Sequence, residues 1–187
     1  MASMHHSTPK GYGTASRWLH WITALVVLAT VPAGVVMTGE NLSRAMQNNL
    51  FIFHKNVGVV ILLLVILRLG VRVFSSAAPL PDHIPAWQKR AAGVSHAALY
   101  TLLLVMAISG YVRVRAGGFP IEALDAIGVP PLVPRSDTVA DTAKAIHSYA
   151  RFVLIAFIAL HVGAALQHGL VKRDGVFGRI WPPNAPR

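Results

Sequence analysis

Four apolar stretches, at about 18–37, 50–71, 94–112 and 147–171, contain none of the seven acidic residues of this 187-residue chain. At about 1.5 Å per helical residue, each is long enough to cross roughly 30 Å of hydrocarbon. Lipid offers no partner to backbone N–H and C=O groups, so each stretch must satisfy its own as a helix. The expected fold is therefore all-α: one domain, a transmembrane four-helix bundle. Composition agrees, with 54% hydrophobic and 13% charged residues against about 25% charged in soluble domains. The first stretch lacks a convincing small-residue cleavage site and reads as a retained helix rather than a signal peptide.

The net charge of +10 would suggest nucleic acid in a soluble protein. Here the basic residues flank apolar runs, where they act as topology signals and lipid contacts, so no nucleic-acid partner is expected. Lys10, Arg17, Arg68, Arg72, Lys89, Arg90, Lys172, Arg173, Arg179 and Arg187 fall on the side of the termini and second loop, ten in all. The other side has six: Arg44, Lys55, Arg113, Arg115, Arg135 and Lys144. That bias predicts both termini in the cytoplasm. The chain has no cysteine, which excludes disulfides, iron–sulfur clusters and c-type haem attachment. The second loop is proline-rich. The third, about 113–146, is the longest and carries a short amphipathic stretch at 121–127, which marks it as a candidate functional loop. The tail after Lys172 is expected to be irregular.

Five of the nine histidines, His20, His54, His96, His147 and His161, lie in or at the ends of the apolar stretches, and His168 lies near the cytoplasmic end of the fourth. An ionisable side chain at membrane depth is a functional candidate. Alternating span direction sorts them by depth. His20, His96 and His161 belong to the cytoplasmic layer, and His54 and His147 to the outer one. His147 and His161 are 14 residues apart, about 21 Å along a helix and about 40° short of four full turns, so both face one way. His54 can meet His147, and His20 can meet His161. Two stacked bis-histidine pairs suit two b-type haems, each iron six-coordinate and built for electron transfer. Zinc is the rival, but it wants four donors at one depth, and the spans offer no carboxylate or thiolate.

Haem also needs room and basic partners for its propionates. Gly58 is one turn from His54. Arg68, at His54 plus 14, points into the cytoplasmic layer and is read as a propionate partner. Arg17, Lys55 and Arg151 lie near His20, His54 and His147. They read equally as propionate partners or as residues snorkelling to the interface.

Four short motifs carry a resemblance to a known family. Span one gives Ser-Arg-Trp-Leu-His20-Trp, and span two gives His54-Lys-Asn-Val-Gly58 followed by Arg68 and Arg72. Span three gives His96-Ala-Ala-Leu-Tyr100 and Ser109-Gly110-Tyr111. Span four gives His147, Leu160-His161-Val-Gly and His168. In this order they resemble the prokaryotic cytochrome b561 family over about 14–175. The resemblance implies two b haems, one held by His20 and His161, the other by His54 and His147. It further implies oxidation of superoxide at the periplasmic side and reduction of ubiquinone. The alternative is a haem b membrane anchor passing electrons between a soluble or periplasmic redox partner and the quinone pool. On the first reading, the outer basic residues form a funnel for a small anion. His168 and His96 are then the quinone candidates. His96 can equally bond a propionate, and either can be a plain packing histidine. The third loop departs from that of a well-understood member of the family, and Arg151 stands where that member has a small residue, which leaves the outer substrate open.

Overall fold

The structure, a computed structural model, describes residues 11–75 and 79–182. Among them are four long helices: α1 (Thr14–Val36), α2 (Arg44–Phe74), α3 (Ala86–Ala116) and, after the short α4 (Glu122–Ala126), α5 (Asp137–Leu166). No strand occurs among the described residues. Each long helix contains a window whose mean hydropathy lies between 1.8 and 2.6, so all four can cross a membrane by length and composition. Leu25, Leu63, Phe152 and Leu160 stand on the outer surface of the bundle, the face lipid would cover. Lys10 and Arg187 of the charge count lie outside the described residues.

α2 and α5 start well before their apolar stretches, each behind a serine cap. α2 begins after Ser43, whose Oγ accepts from the Met46 N–H at 3.3 Å. α5 begins after Ser136, whose Oγ accepts from the Val139 N–H at 3.4 Å, and Asp137 in its first turn suits the positive end of the helix dipole. The third loop is correspondingly shorter than 113–146. His54 and His147 each lie ten residues into their helices (44 to 54 and 137 to 147), about 15 Å from the helix start. They sit in the bundle rather than at its rim.

Val27, Ile61, Val65, Leu103 and Leu154 form the buried core, with at least one residue from each long helix. In lipid this core holds by van der Waals fit rather than by expulsion of water. α5 packs along α3, and α2 packs along both α1 and α3. α5 makes no comparable packing against α1 or α2. The expected histidine pairs therefore bridge helices that leave space between them.

The described tail after Lys172 is irregular apart from one short turn, as expected. α5 continues as a π-helical turn (Gln167–Lys172), and a 3-10 turn follows at Phe177–Arg179. The chain then lies across the start of α1. Trp21 Nε1 donates to the Ile180 carbonyl at 3.0 Å, Arg17 Nη1 to the Pro182 carbonyl at 3.1 Å and the Tyr12 N–H to the Arg179 carbonyl at 3.1 Å. The Trp21 and Trp181 rings meet edge to face at 5.2 Å. These contacts hold the tail on α1.

Candidate functional site

The outer layer brings His54 of α2 and His147 of α5 together with ring centroids 6.1 Å apart. His54 Nδ1 donates to the Thr30 carbonyl of α1 at 3.1 Å, and His147 Nδ1 donates to the Met106 carbonyl of α3 at 3.0 Å. Carbonyls only accept, so in both rings the hydrogen sits on Nδ1 and Nε2 keeps its lone pair. Ser109 agrees: its hydroxyl donates to the Val105 carbonyl at 2.5 Å, so its oxygen, 3.2 Å from His147 Nδ1, acts there as an acceptor. A neutral imidazole with its outer N–H tied to a carbonyl is oriented as a metal ligand is.

The same local device docks both rings. Four residues after Thr30 comes Gly34, and four after Met106 comes Gly110. A Cβ at Gly34 would stand 2.6 Å from His54 Cε1, and one at Gly110 would stand 3.2 Å from His147 Cε1. Residues four apart stack on one helix face, so a missing side chain at the second exposes the carbonyl of the first to a neighbouring helix. Neither glycine was a candidate at the sequence level. The signal, a glycine in each of the partner helices, becomes meaningful only once the neighbours are known.

A cavity adjoins this pair, lined by His54, His147, Gly34, Gly58, Arg113 and Arg151 among others. Gly58 has open space where a Cβ would stand. Arg113, which sequence reasoning placed only on the outer rim, reaches this cavity. Lys55 does not line it. Its Nζ lies 2.7 Å from Glu122 Oε1 and donates to the Pro120 carbonyl at 2.8 Å. Asn56 completes a latch, donating to Glu122 Oε2 at 2.8 Å and accepting from the Ala123 N–H at 2.7 Å. These bonds hold α4 on α2 directly after His54.

The latch and its neighbour titrate. Burial alone would raise the Glu122 carboxyl, but hydrogen bonds from Lys55 and Asn56 outweigh it and hold it below its usual value. Asp125 is lowered by the hydrogen bond from Arg115, at 2.6 Å. Carboxyls depressed in the folded state stabilise it above their ordinary range, about pH 4, and the contribution is lost as pH falls through the lowered values. Hydrogen exchange at the amides of 121–128 is therefore expected to accelerate, relative to the intrinsic rate, between pH 6 and pH 3. Unchanged protection at pH 3 would contradict this.

The inner layer gathers three histidines. His20 of α1 and His161 of α5 stand 6.2 Å apart between centroids, and His96 of α3 stands 5.5 Å from His161. Arg68 Nη2 lies 3.2 Å from His20 Nδ1, and its Cζ lies 5.2 Å from the Tyr100 ring centre. A guanidinium only donates, so Nδ1 accepts here, unlike in the outer pair. His168 is held apart on the π-helical turn, with its Nδ1 2.5 Å from Asp174 Oδ2. Arg17 is buried under the tail, where its Nη1 donates to the Pro182 carbonyl. Arg151 lies against the Phe152 ring, 4.6 Å from Cζ to its centre, as well as on the outer cavity.

Both ring separations suit one transition-metal ion between two imidazoles. A metal about 2.0 Å from each ligating nitrogen, plus a ring radius of about 1.1 Å on each side, gives roughly 6 Å between centroids. Among the described residues, no three His, Asp or Glu side chains converge to hold a metal by themselves. The zinc alternative thus finds no donor set there.

The model of the prokaryotic cytochrome b561 family matches residues 11–183. The chain belongs to that family. It is 29% identical over 175 residues to cytochrome b561 homolog 2 of Escherichia coli (strain K12), which covers 93% of this chain and 93% of the relative. It is also 29% identical over 169 residues to cytochrome b561 homolog 1 of the same organism, covering 88% and 93%. As a cytochrome b561 it is a membrane haem b electron-transfer protein. The residues fit the group. In this cytochrome the spacing of both pairs, the hydrogen on Nδ1 in the outer pair and the open side of Gly58 all accommodate a bis-histidine haem.

Proposed function

We propose that this cytochrome carries electrons across the bacterial inner membrane through two b haems, one held by His54 and His147 and the other by His20 and His161. The observation that carries the reading is the repetition of one geometry at two depths of α5. Two histidine pairs have nearly equal ring separations, 6.1 and 6.2 Å, about 21 Å apart along the helix. Haem iron supplies one-electron transfer when bound. The protein fixes ring orientation, excludes water and neutralises propionate charge. Arg113 and Arg151 are the basic groups facing the outer pair. Ligation through His20 Nε2 requires the hydrogen on Nδ1, which excludes the Arg68 contact described above. The guanidinium is then free for a propionate.

The charge bias places the outer pair at the periplasmic side and the inner pair, with His96 and His168, at the cytoplasmic side. On this reading superoxide is oxidised outside and ubiquinone is reduced inside. Lys55 and Arg115 are tied to Glu122 and Asp125, which leaves Arg113 as the charge best placed to draw a small anion toward His54 and His147. Arg113→Ala is expected to slow superoxide-driven reduction on the order of tenfold at low ionic strength, with the difference shrinking in high salt. Equal rates at low salt and equal haem content would remove the steering role. His168→Ala, with haem content intact, is expected to abolish ubiquinone reduction while superoxide still reduces the haems. Retained quinone turnover would remove His168 from the quinone site.

A further inference from the structure

A second cavity, about 540 Å³, lies between the end of α3, α4 and the loop leading to α5. Arg115, Phe119, Asp125, Val133 and Arg135 line it, together with prolines. The Arg115 side chain is 5% exposed, its Nη2 donates to Asp125 Oδ1 at 2.6 Å, and the Tyr111 hydroxyl is a second partner. Its Nε is buried and finds no hydrogen-bond partner among the described residues. A guanidinium carries five N–H donors in a fixed fork, and an unmet buried donor on a charged group is costly.

Arg135 reaches the same cavity from the other wall. Gly118 has φ +76°, and a Cβ there would stand 3.2 Å from Arg135 Nε and 3.3 Å from its Cζ. The guanidinium thus lies against bare backbone that a side chain would obstruct. Both walls are pinned. The Gly118 N–H donates to the Arg115 carbonyl at 3.0 Å, the Phe119 N–H to Val114 at 2.9 Å and the Ser136 N–H to Ala116 at 2.9 Å. The cavity therefore sets two guanidiniums against one carboxylate, an excess of one positive charge, between apolar walls of Phe119, Pro131, Val133 and Pro134.

We infer that this cavity is a binding site for a small organic monoanion, a carboxylate on a compact apolar body. The carboxylate would accept from the guanidinium of Arg135 and lie beside the Arg115–Asp125 pair, a charge-assisted arrangement suited to planar oxyanions. The volume is in the range of small-molecule sites, roughly 300–1,000 Å³, and is far more than a diatomic anion needs. Its wall includes Pro120, whose carbonyl accepts from Lys55, the residue after His54. The occupant thus sits one side chain from the outer histidine pair. The inference does not depend on the haem reading, and the test reads binding alone.

The test titrates the detergent-purified, haem-supplied protein with 4-fluorobenzoate, followed by fluorine NMR. Neutral 4-fluorobenzyl alcohol reports partition into the micelle, and optical spectra track haem separately. Saturable benzoate binding is expected, on the order of tenfold tighter than the alcohol and weakened by added chloride. Arg135→Gln is expected to weaken benzoate on the order of tenfold, with Arg135→Lys in between. Asp125→Asn frees Arg115 and is expected to tighten binding. The two variants moving in opposite directions is a pattern that simple loss of structure does not produce. Equal behaviour of benzoate and alcohol, unchanged binding in Arg135→Gln, or weakening by both substitutions overturns the assignment.

Discussion

With His161 replaced by alanine, the chain is expected to hold one haem instead of two and to pass no electrons to quinone above background. His161 is the ring shared by both inner contacts, 6.2 Å from His20 and 5.5 Å from His96. Without it, His20 keeps only the Arg68 contact and its neighbour Trp21, whose ring centre lies 5.2 Å away. His96 is on α3 and has no ligand role in this account, so it is not expected to take the vacated position. The outer pair should survive, because His147 is 14 residues away on the same helix and is anchored to α3 through Met106 and Ser109. The matching control is His96→Ala, which is expected to retain both haems. The check is haem per chain by pyridine haemochrome, followed by superoxide-driven quinone reduction. Two haems in His161→Ala, or one in His96→Ala, would reassign the inner ligands.

Gly34→Ala is expected to cost the outer site nearly as much as losing a ligand, although it adds only a single methyl group. The new Cβ would stand 2.6 Å from His54 Cε1, well inside carbon–carbon contact at about 3.5–4.0 Å. The ring has to retreat by about 1 Å, and in doing so it leaves the Thr30 carbonyl that fixes its hydrogen on Nδ1. At Gly110 the corresponding contact to His147 is 3.2 Å. A shift of a few tenths of an ångström relieves it, so Gly110→Ala should keep the haem with a perturbed spectrum. The order of the two variants is the sharp part of the expectation. Haem loss in Gly110→Ala with a normal outer site in Gly34→Ala would show that the glycines do not position the rings as described.

The four-helix fold was legible because apolar length, absent acids and backbone satisfaction leave few alternatives. The pairing of His54 with His147 and of His20 with His161 was legible for a similar reason. A 14-residue separation fixes the relative facing of His147 and His161, and alternating span direction fixes depth. Helix ends were less so. Ser43 and Ser136 are capping residues outside the apolar windows, and hydropathy does not register them. The partner of Lys55 is Glu122, 67 residues away, and nothing local marks that pair. Arg17 shows the same limit, since its proximity to His20 in sequence does not reveal the tail that covers it. The carbonyl-and-glycine docking of the outer rings depends on α2 facing α1 and α5 facing α3, a fact of packing rather than of periodicity.

The central claim is that the two histidine layers each hold one b haem. The most direct measurement is the reduced-minus-oxidised optical spectrum of the purified protein, with haem stoichiometry per chain. Two b haems per chain, with a split or broadened α band, is the predicted result. One haem per chain, or none after expression with ample haem, would contradict it.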